Sequence, residues 1–452
     1  MYFIKILVFE KIINKLKLIY HFFLAFIANI IYRNPSKRLI IIGVTGTTGK
    51  TTTVYFLKEL LRQAGFKVGY TSTAMFSDGN QDWLNDKKMT MLGRFFTQKM
   101  IRKMVNNGCH YGIVETTSEG IRQFRHKFIN YDVLVFTGLY PEHIESHGGF
   151  ENYKKEKGKL FNYLKKCSYK FPGKDFKLIT ENLSAPNNYK KIEKTVIINS
   201  DDEHSDFFSS FWSDKKFFIS ATQEKADLIF KNIVSREEGI NFNIRNNSLQ
   251  VNIDLSILGE FNALNASLAA GVAFSQGISL ETIKEGFKNI KNIPGRLERI
   301  KSEKGFLVIV DYAFEPKALQ ALYNTIQVLR CKRVIHVLGG TGGGRDVSRR
   351  FPIGELVGEN ADVVIVTNED PYDENPQTII DQVAKGVQST GKVLEKNYFK
   401  ILDREEAIRL AVNLAKKDDL ILITGKGCEQ GICVANNKKI SWDDRKIVKK
   451  YI

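Results

Sequence analysis

The feature that most constrains this chain is a short loop, rich in glycine and threonine, that joins an apolar run to a helical pattern. Residues 39–44 are mostly β-branched, residues 45–52 read Thr-Gly-Thr-Thr-Gly-Lys-Thr-Thr, and an amphipathic pattern follows. This order of strand, loop and helix is typical of a phosphate-binding site, where backbone N–H groups and a helix N-terminus hold an anion. Lys50 would neutralise the phosphate, and the Thr51 hydroxyl would reach Mg²⁺. The alternative is a glycine turn that only connects a strand to a helix.

Length and charge narrow the class of protein. A chain of 452 residues is too long for one ordinary core and indicates two or three domains. The net charge of +17 raises the question of nucleic acid or a membrane surface. The lysines are scattered, however, and no module that reads nucleic acid is recognisable, so we expect a protein that handles anionic small molecules. The five cysteines are widely spaced and form no Cys-x-x-Cys pair, which fits a reducing cytoplasm.

The N-terminal segment, residues 1–37, is predicted to be an amphipathic helix that ends at Asn34-Pro35. Its uncharged stretch, residues 18–32, covers about 15 residues, short of the roughly 20 that a membrane span requires. No small-residue cleavage site follows, so a signal peptide is not expected. The helix would either pack on the protein or make peripheral contact with a membrane.

Beyond this segment the sequence predicts an α/β protein with two units. Short apolar strands alternate with helices over residues 38–296, which indicates βαβ units and a parallel sheet. Pro294-Gly295-Arg296 resembles a linker, and a new alternating pattern fills residues 297–452. We therefore expect a central P-loop-like ATPase domain with a parallel sheet, followed by a Rossmann-like α/β C-terminal domain.

Two further motifs follow predicted strands. Glu115 comes directly after a buried strand and is well placed as a Mg²⁺ ligand, although a helix-capping glutamate is the simpler alternative. Residues 142–147 hold two histidines and two acids, which could bind a metal or form a solvated loop; they lack the spacing of structural zinc sites.

Taken in order, these motifs resemble the Mur ligases, the ATP-dependent amide-forming enzymes of peptidoglycan precursor synthesis, and most of all their MurE-type branch. The resemblance covers about residues 38–452. The loop has the family's short form, with Thr48 where Asn is usual. Residues 115–120 and 137–147 match two more family segments, with substitutions at Thr117, Glu119, Gly138, Glu142 and Glu145.

The resemblance implies the ligands of ATP and of two Mg²⁺ ions. ATP would be bound by Gly46, Thr47, Thr48, Gly49, Lys50, Thr51, Thr52, Asn262, Asn265, Arg296 and Asp311. The first Mg²⁺ would be held by Thr51 and Glu115, and the second by His143 and Lys157, which the family carries in carbamylated form. Lys50, Glu115, His143 and Lys157 are thus the implied catalytic residues. Phe314 stands where the family has a histidine.

The reaction implied is amide formation through an acyl phosphate, with an amino acid added to a UDP-MurNAc-dipeptide-like acceptor. The implied substrate residues are Thr117, Arg125, Asp370, Tyr372 and Glu429. Tyr372 replaces the family's arginine, which clamps the distal carboxylate of diaminopimelate, and tyrosine cannot make that bidentate contact. The acidic loop around it would favour an ammonium, so we expect diaminopimelate or a lysine-like amino acid.

Three alternatives remain at this point. The family's N-terminal UDP-binding domain has no counterpart in residues 1–37, so the acceptor would be held weakly or would differ, for instance as a lipid-linked precursor. The chain could instead be a ligase of the folylpolyglutamate or cyanophycin type, or a non-catalytic ATP-binding partner. We expect a monomer whose partners are small-molecule substrates.

Overall fold

The structure is a computed structural model that describes residues 2–142, 147–171, 191–344 and 347–452, with side chains from residue 16 onward. Short 3₁₀ turns lie at Pro35–Arg38 and Val347–Arg349. The helices described are α1 Tyr2–Ile31, α2 Lys50–Gln63, α3 Arg94–Asn106, α4 Ser118–Arg122, α5 Phe150–Leu164, α6 Ser205–Ser209, α7 Phe261–Ser275, α8 Leu280–Lys288, α9 Pro316–Ile326, α10 Arg350–Asn360, α11 Pro376–Ser389, α12 Arg404–Leu414 and α13 Asp444–Tyr451.

The strands form two large sheets and one small hairpin. They are β1 Ile40–Thr45, β2 Val68–Thr71, β3 Met75–Ser77, β4 Asp82–Leu84, β5 Tyr111–Glu115, β6 Val133–Phe136, β7 Thr195–Asn199, β8 Lys215–Ser220, β9 Leu228–Arg236, β10 Gly239–Arg245, β11 Gln250–Leu255, β12 Glu298–Lys301, β13 Leu307–Val310, β14 Val334–Leu338, β15 Val363–Thr367, β16 Tyr398–Ile401, β17 Leu420–Ile423, β18 Gly431–Val434 and β19 Lys438–Ser441.

The first sheet has the order β11-β10-β9-β8-β7-β6-β1-β5-β2-β3-β4. Its centre is parallel, as the apolar runs predict, and β1 is buried along its whole length because helices cover both faces. The edges are antiparallel: β2 to β4 form a meander on one side and β9 to β11 on the other. The hairpin predicted near Asn246 is present at the β10–β11 turn.

The second sheet has the order β12-β13-β17-β14-β15-β16, and β12 alone runs antiparallel to its neighbour. Each of its two faces packs on an apolar cluster formed with helices. The small hairpin of β18 and β19 follows. The α/β class predicted from the sequence, with a large parallel-centred sheet and a second α/β unit, is confirmed.

Asp132, immediately before β6, links several elements below the first sheet. Its carboxylate accepts hydrogen bonds from the Ile41 N–H (2.8 Å) and the Lys194 Nζ (2.9 Å), and it also pairs with Lys170. All three charged side chains are fully buried. Burial lowers the pKa of Lys170 to about 8, although the attraction of Asp132 opposes the shift.

Helix α1 packs on α3, and the buried residues among its described side chains are Ala25, Ala28 and Asn29. Phe22 and Phe26 place their rings 5.3 and 5.5 Å from the ring of Phe128. The opposite face is exposed and apolar, with side chains of Leu16, Ile19, Tyr20, Phe23, Ile27, Ile30 and Ile31. In the part of the chain that the structure describes, no helix is long and apolar enough to span a bilayer.

Candidate functional site

A cleft of about 540 Å³ lies between the carboxyl ends of the two sheets. Strand register aligns the carboxyl ends of the first sheet, since Val44 of β1 pairs with Glu115 of β5, and Thr45 pairs with Phe136 of β6. Most of the residues predicted to bind ATP and the first Mg²⁺ line this cleft: Thr47, Thr48, Gly49, Lys50, Thr51, Thr52, Glu115, Asn262, Asn265, Arg296 and Asp311.

The glycine-rich loop turns sharply between β1 and α2. Gly49 has φ +78°, and a Cβ at this position would lie 2.2 Å from the Asn265 Oδ1, so the close approach of α7 requires glycine. The Lys50 ammonium folds back onto the loop and donates to the carbonyls of Thr47 (2.5 Å) and Gly46 (3.2 Å). The N-terminus of α2 therefore opens into the cleft with its lysine beside it, as an anion site requires.

Glu115 is buried at the end of β5 and is held on several sides. The Thr51 hydroxyl donates to it at 3.0 Å, while the N–H and hydroxyl of Thr73 donate at 2.8 and 2.9 Å. The Thr73 hydroxyl oxygen also lies 2.8 Å from the Thr90 hydroxyl oxygen. The sequence prediction missed Thr73, although its place just after β2 is itself a strand end at this edge of the sheet.

Lys157 lies on α5, fully buried beneath the loop, and donates to the Gly46 carbonyl at 2.7 Å. Burial, and then the nearby charge of Lys50, holds the pKa of Lys157 well below its usual range. Its predicted partner His143 lies outside the described residues. His147 is described, and its Nε2 lies 3.1 Å from the Ser118 Oγ.

The opposite wall of the cleft comes from the second sheet. Arg296 places its guanidinium 4.5 Å from the ring centre of Tyr312, with Nη2 3.5 Å from the Thr51 Oγ1. Asp311 accepts from the N–H groups of Leu297 and Ala313, each at 2.7 Å. The Asp311 carboxylate thus shapes the turn that carries Arg296 into the cleft, a role that the sequence does not predict.

A hydrogen bond between two lining residues also joins the two walls of the cleft. The Tyr140 hydroxyl donates to the Glu315 Oε1 at 2.5 Å, and the Lys317 ammonium lies 4.1 Å from the centre of the Tyr140 ring. Neither residue of this pair was predicted, because each follows a strand in a different sheet and no local pattern connects them.

The predicted acceptor residues lie at two places. Thr117 lines the cleft, and its hydroxyl also caps α4 by accepting from the Gly120 N–H at 3.1 Å. Arg125 lies away from the cleft lining, with Nη2 2.7 Å from the Gln123 Oε1. Burial, and then the charges of Arg94 and Arg125, lower the pKa of His21 on α1.

The remaining predicted substrate residues gather beyond the cleft, at the end of the second sheet. Asp370 and Glu429 both contact Lys426, at 2.9 and 2.8 Å. Tyr372 has φ +52°, and its N–H donates to the Cys433 carbonyl at 3.1 Å. Among the described residues, Gly46, Lys157, Arg125, Asp370, Tyr372 and Glu429 are the predicted site residues outside the cleft lining.

In the described ranges, no three histidine, cysteine or carboxylate side chains gather closely enough to hold a metal by themselves. Glu115 and Thr51 nevertheless offer adjacent oxygen donors, the kind that Mg²⁺ prefers, and Mg²⁺ commonly completes its shell with phosphate oxygens and water. The residues present therefore fit one Mg²⁺ that is bound together with a nucleotide.

Comparison with known proteins agrees with this arrangement. Residues 44–192 and 174–273 match the Mur ligase middle domain, and residues 295–427 match the Mur ligase glutamate ligase domain. A UDP-N-acetylmuramyl-tripeptide synthetase from Roseiflexus sp. is 32% identical over 424 residues, which are 93% of this chain and 80% of that protein. This chain is a Mur ligase. The resemblance seen in the sequence is confirmed, and so is the class of ATP-dependent, amide-forming ligases of peptidoglycan precursor synthesis.

Other relatives of this Mur ligase carry related names. A UDP-N-acetylmuramoyl-L-alanyl-D-glutamate–2,6-diaminopimelate ligase from Caldanaerobacter subterraneus is 32% identical over 95% of this chain and 81% of its own length. A solved structure of a ligase with that name has a TM-score of 0.58 at 25% identity, and covers 92% of this chain and 78% of the other. A MurF ligase from Thermotoga maritima, solved in complex with ADP, has a TM-score of 0.59 at 17% identity over 88% and 80% of the two chains, which shows the fold.

Proposed function

We propose that this Mur ligase joins the carboxylate of a UDP-MurNAc-dipeptide-like acceptor to the amine of an amino acid, with an acyl phosphate as the intermediate. The observation that carries the proposal is the cleft in which Lys50 and Glu115 of one sheet face Arg296 of the other. The acceptor carboxylate attacks the γ-phosphate of ATP and ADP leaves; the amine then attacks the acyl carbon and phosphate leaves. The names of the tripeptide synthetase relatives support this acceptor.

Charge neutralisation is the main task of the protein in the first step. Phosphoryl transfer needs positioning and stabilisation of negative charge more than covalent help. Lys50 and the N–H groups at the start of α2 take the phosphates from one side, and Arg296 approaches from the other, 3.5 Å from the Thr51 hydroxyl. Asn262 and Asn265 line the same cleft and would contact the nucleoside.

Glu115 and Thr51 would hold the first Mg²⁺. The ion, when bound, supplies positive charge that offsets the charge developing on the phosphate oxygens. Thr73 fixes the Glu115 carboxylate by two hydrogen bonds, so the ligand is already oriented.

Lys157 is the proposed site of carbamylation. In this step the neutral amine attacks CO₂, an N–C bond forms and a proton is released. Burial lowers the pKa of Lys157 well below its usual range, which raises the share of neutral amine available for this reaction. The carbamate oxygens, together with His143, would hold a second Mg²⁺.

The amino acid added is diaminopimelate or a lysine-like amino acid, and its binding residues are Asp370, Tyr372 and Glu429. Glu429 would receive the amine. Thr117 and Arg125 would contact the acceptor. Tyr372 carries no charge that could pair with a distal carboxylate, so its ring and hydroxyl would discriminate side chains by shape and neutral hydrogen bonds.

The decisive experiment measures ADP release from ATP with UDP-MurNAc-dipeptide and a panel of amino acids. We expect turnover with one basic amino acid and a loss of at least about 100-fold in Lys50→Met, the scale set by removal of a charge-stabilising donor. Lys154→Met is the matched control, because this lysine pairs with Glu151 on the surface of α5. A wild-type chain that releases no ADP with any amino acid would contradict the proposal.

We also propose that α1 lies on an anionic membrane surface. Its outward face is apolar from Leu16 to Ile31, and lysines precede this stretch, the combination that binds anionic bilayers peripherally. Phe23→Asp should reduce co-sedimentation with vesicles that contain phosphatidylglycerol. Phe351→Asp, at a phenylalanine on α10 that is 44% exposed against 55% for Phe23, should not. Equal loss in both variants would contradict a role for α1.

The chain is further proposed to act as a cytoplasmic monomer of three parts, residues 1–37, 38–296 and 297–452. The change from one sheet to the other between β11 and β12 supports the second boundary. Sedimentation equilibrium at several concentrations tests the monomer, and a concentration-dependent mass would contradict it.

A further inference from the structure

Four charged side chains form a closed cluster at the end of the second sheet, which we call the acid–lysine square: Lys88, Asp370, Lys426 and Glu429. The Lys88 ammonium lies 2.6 Å from Asp370 and 3.1 Å from Glu429. Lys426 contacts the same two carboxylates at 2.9 and 2.8 Å. The Tyr312 hydroxyl and the Cys433 N–H complete the hydrogen bonds of the two acids.

The square is buried, and its charges balance. Its side chains are between 0% and 12% exposed. Burial opposes ionisation of Asp370, but Lys426 and Lys88 outweigh it and hold the pKa of that carboxyl below its usual range. The two carboxylates are therefore fully paired within the chain, and the acidic loop read from the sequence presents no free negative charge at this point.

Lys88 is the one member of the square that comes from the other sheet. It lies in the loop between β4 and α3, in a left-handed backbone conformation with φ +49°, and reaches across to the loops that follow β15 and β17. Lys87, beside it, points to solvent and pairs with Asp86. Lys426 is completely buried within the second unit, so only Lys88 can leave the square when the two units separate or its loop turns.

We infer that the Lys88 ammonium occupies the position that the amine of the incoming amino acid takes between Asp370 and Glu429, so that the amino acid binds by displacing Lys88. The inference rests on the proposed function, which assigns these two acids to the amino acid. Two ammonium groups already neutralise two carboxylates, and a third brought within 4 Å would meet net repulsion. Exchange of one ammonium for another keeps the charge balanced.

Displacement makes Lys88 a built-in competitor of the amino acid. The apparent affinity for a ligand falls in proportion to the fraction of sites that are open to it. Replacing Lys88 with methionine keeps the length of the side chain, removes the competing charge and leaves Asp370 and Glu429 with one ammonium in place of two.

The test is titration calorimetry of the full chain, with a non-hydrolysable ATP analogue present and a panel of free amino acids that includes L-lysine and diaminopimelate. We expect Lys88→Met to bind at least one of them about fivefold more tightly than the wild type, which corresponds to a site that Lys88 fills about four-fifths of the time. Lys87→Met is the matched neighbour control and should bind as the wild type does.

Lys439→Met separates displacement from a simple loss of positive charge. Lys439 donates to the Asp86 carbonyl, so it lies beside the same loop without entering the square. Burial is the main cause that lowers the pKa of Lys439, and the charge of Lys88 is the next. Equal tightening by this variant overturns the inference. Unchanged or weaker binding of the amino acids by Lys88→Met also overturns the inference. So does the absence of amino-acid binding in the wild type and in all three variants.

The ADP-release assay keeps the two proposals apart. A wild type that turns over an amino acid, with no tighter binding in Lys88→Met, retains the proposed function and rejects displacement. Tighter binding in Lys88→Met, in a chain that releases no ADP with any acceptor, retains displacement and rejects the proposed function.

Discussion

At the scale of single residues, Lys157 makes the sharpest prediction. Lys157→Ala should lower the rate of ADP release by at least about 100-fold, because it removes the group that would carry the carbamate. Formate or acetate should restore part of the rate, since a small carboxylate can stand in for the carbamate oxygens. The measurement is turnover in the variant with and without these acids.

Lys159→Ala is the control on the same helix, where the exposed lysine pairs with the largely buried Glu156. It should keep the wild-type rate and gain nothing from the acids. A wild-type rate in Lys157→Ala would contradict the metal-ligand role.

Glu115→Gln tests the first Mg²⁺. The amide keeps the hydrogen bonds to Thr51 and Thr73 in part but loses the charge, so the Mg²⁺ concentration for half-maximal rate should rise at least about tenfold, the cost of even an indirect ligand. Glu119→Gln, an exposed acid on α4, is the control. An unchanged Mg²⁺ requirement in Glu115→Gln would assign that carboxylate a structural role only.

Much of the candidate site could be predicted at this scale, since Lys50 begins α2, Glu115 ends β5 and Asn265 lies near the start of α7, in a recognisable order. The position of Thr73 just after β2 was the only signal for it, and Lys88 had none, because their partners lie far away in the sequence and only the folded chain brings them together. The contacts of Asp311 with backbone N–H groups were hidden for the same reason.

At the scale of elements, Asp132 holds the lower ends of β1 and β6 and the segments that carry Lys170 and Lys194. Asp132→Ala should reduce the free energy of unfolding by about 3–5 kcal/mol, because it leaves two buried ammonium groups without a counter-charge. Urea denaturation measures the loss. Asp381→Ala breaks an exposed pair with Lys400 and should cost at most about 1 kcal/mol.

The same cluster predicts that the free energy of unfolding depends on pH. Lys170 has a pKa of about 8 in the folded protein and 10.5 ordinarily. Between these two pH values Lys170 is protonated in the unfolded chain but not in the folded chain. The contribution of Lys170 to the free energy of unfolding therefore rises with pH across this range. Urea denaturation at intervals from about pH 7.5 to about pH 10.5 should show this rise, and Lys170→Met should remove it.

The sequence predicts the central strands well because their apolar runs are buried on both faces. The antiparallel edges are harder to predict, since β3 and β4 have three residues each and leave almost no pattern. Helix α1 follows its prediction as a helix, but from Leu16 onward its outward side is apolar and exposed, and only Ala25, Ala28 and Asn29 of its described side chains are buried.

At the scale of the whole molecule, the hydrogen bond between Tyr140 and Glu315 joins the two sheets across the cleft. Tyr140→Phe should favour separation of the walls and raise the KM for ATP about tenfold, since a hydrogen bond to a charged group is worth about 1.5–3 kcal/mol. Tyr169→Phe, which loses a surface bond to Asp214, is the control. Equal KM values for ATP in both variants would show that this hydrogen bond does not control how closely the two walls of the cleft approach.

The pairing of two α/β units is visible in the sequence, but their relative placement is not. Contacts such as Arg296 with Thr51, or Cys428 with the Ala74 carbonyl, join positions more than two hundred residues apart. Hydrophobic periodicity indicates which face of each element is buried, but it does not indicate which loops contact one another in the folded chain.

The Gly46 carbonyl is held from two directions, by Lys50 of its own loop and by Lys157 of α5. When a phosphate draws Lys50 away, Lys157 still anchors the carbonyl, and the loop has no need to reorder around its ligand. A neutral amine and a carbamate both keep an N–H, so Lys157 can donate to the Gly46 carbonyl in either form. The loop is preorganised, and little conformational entropy is lost when the nucleotide arrives.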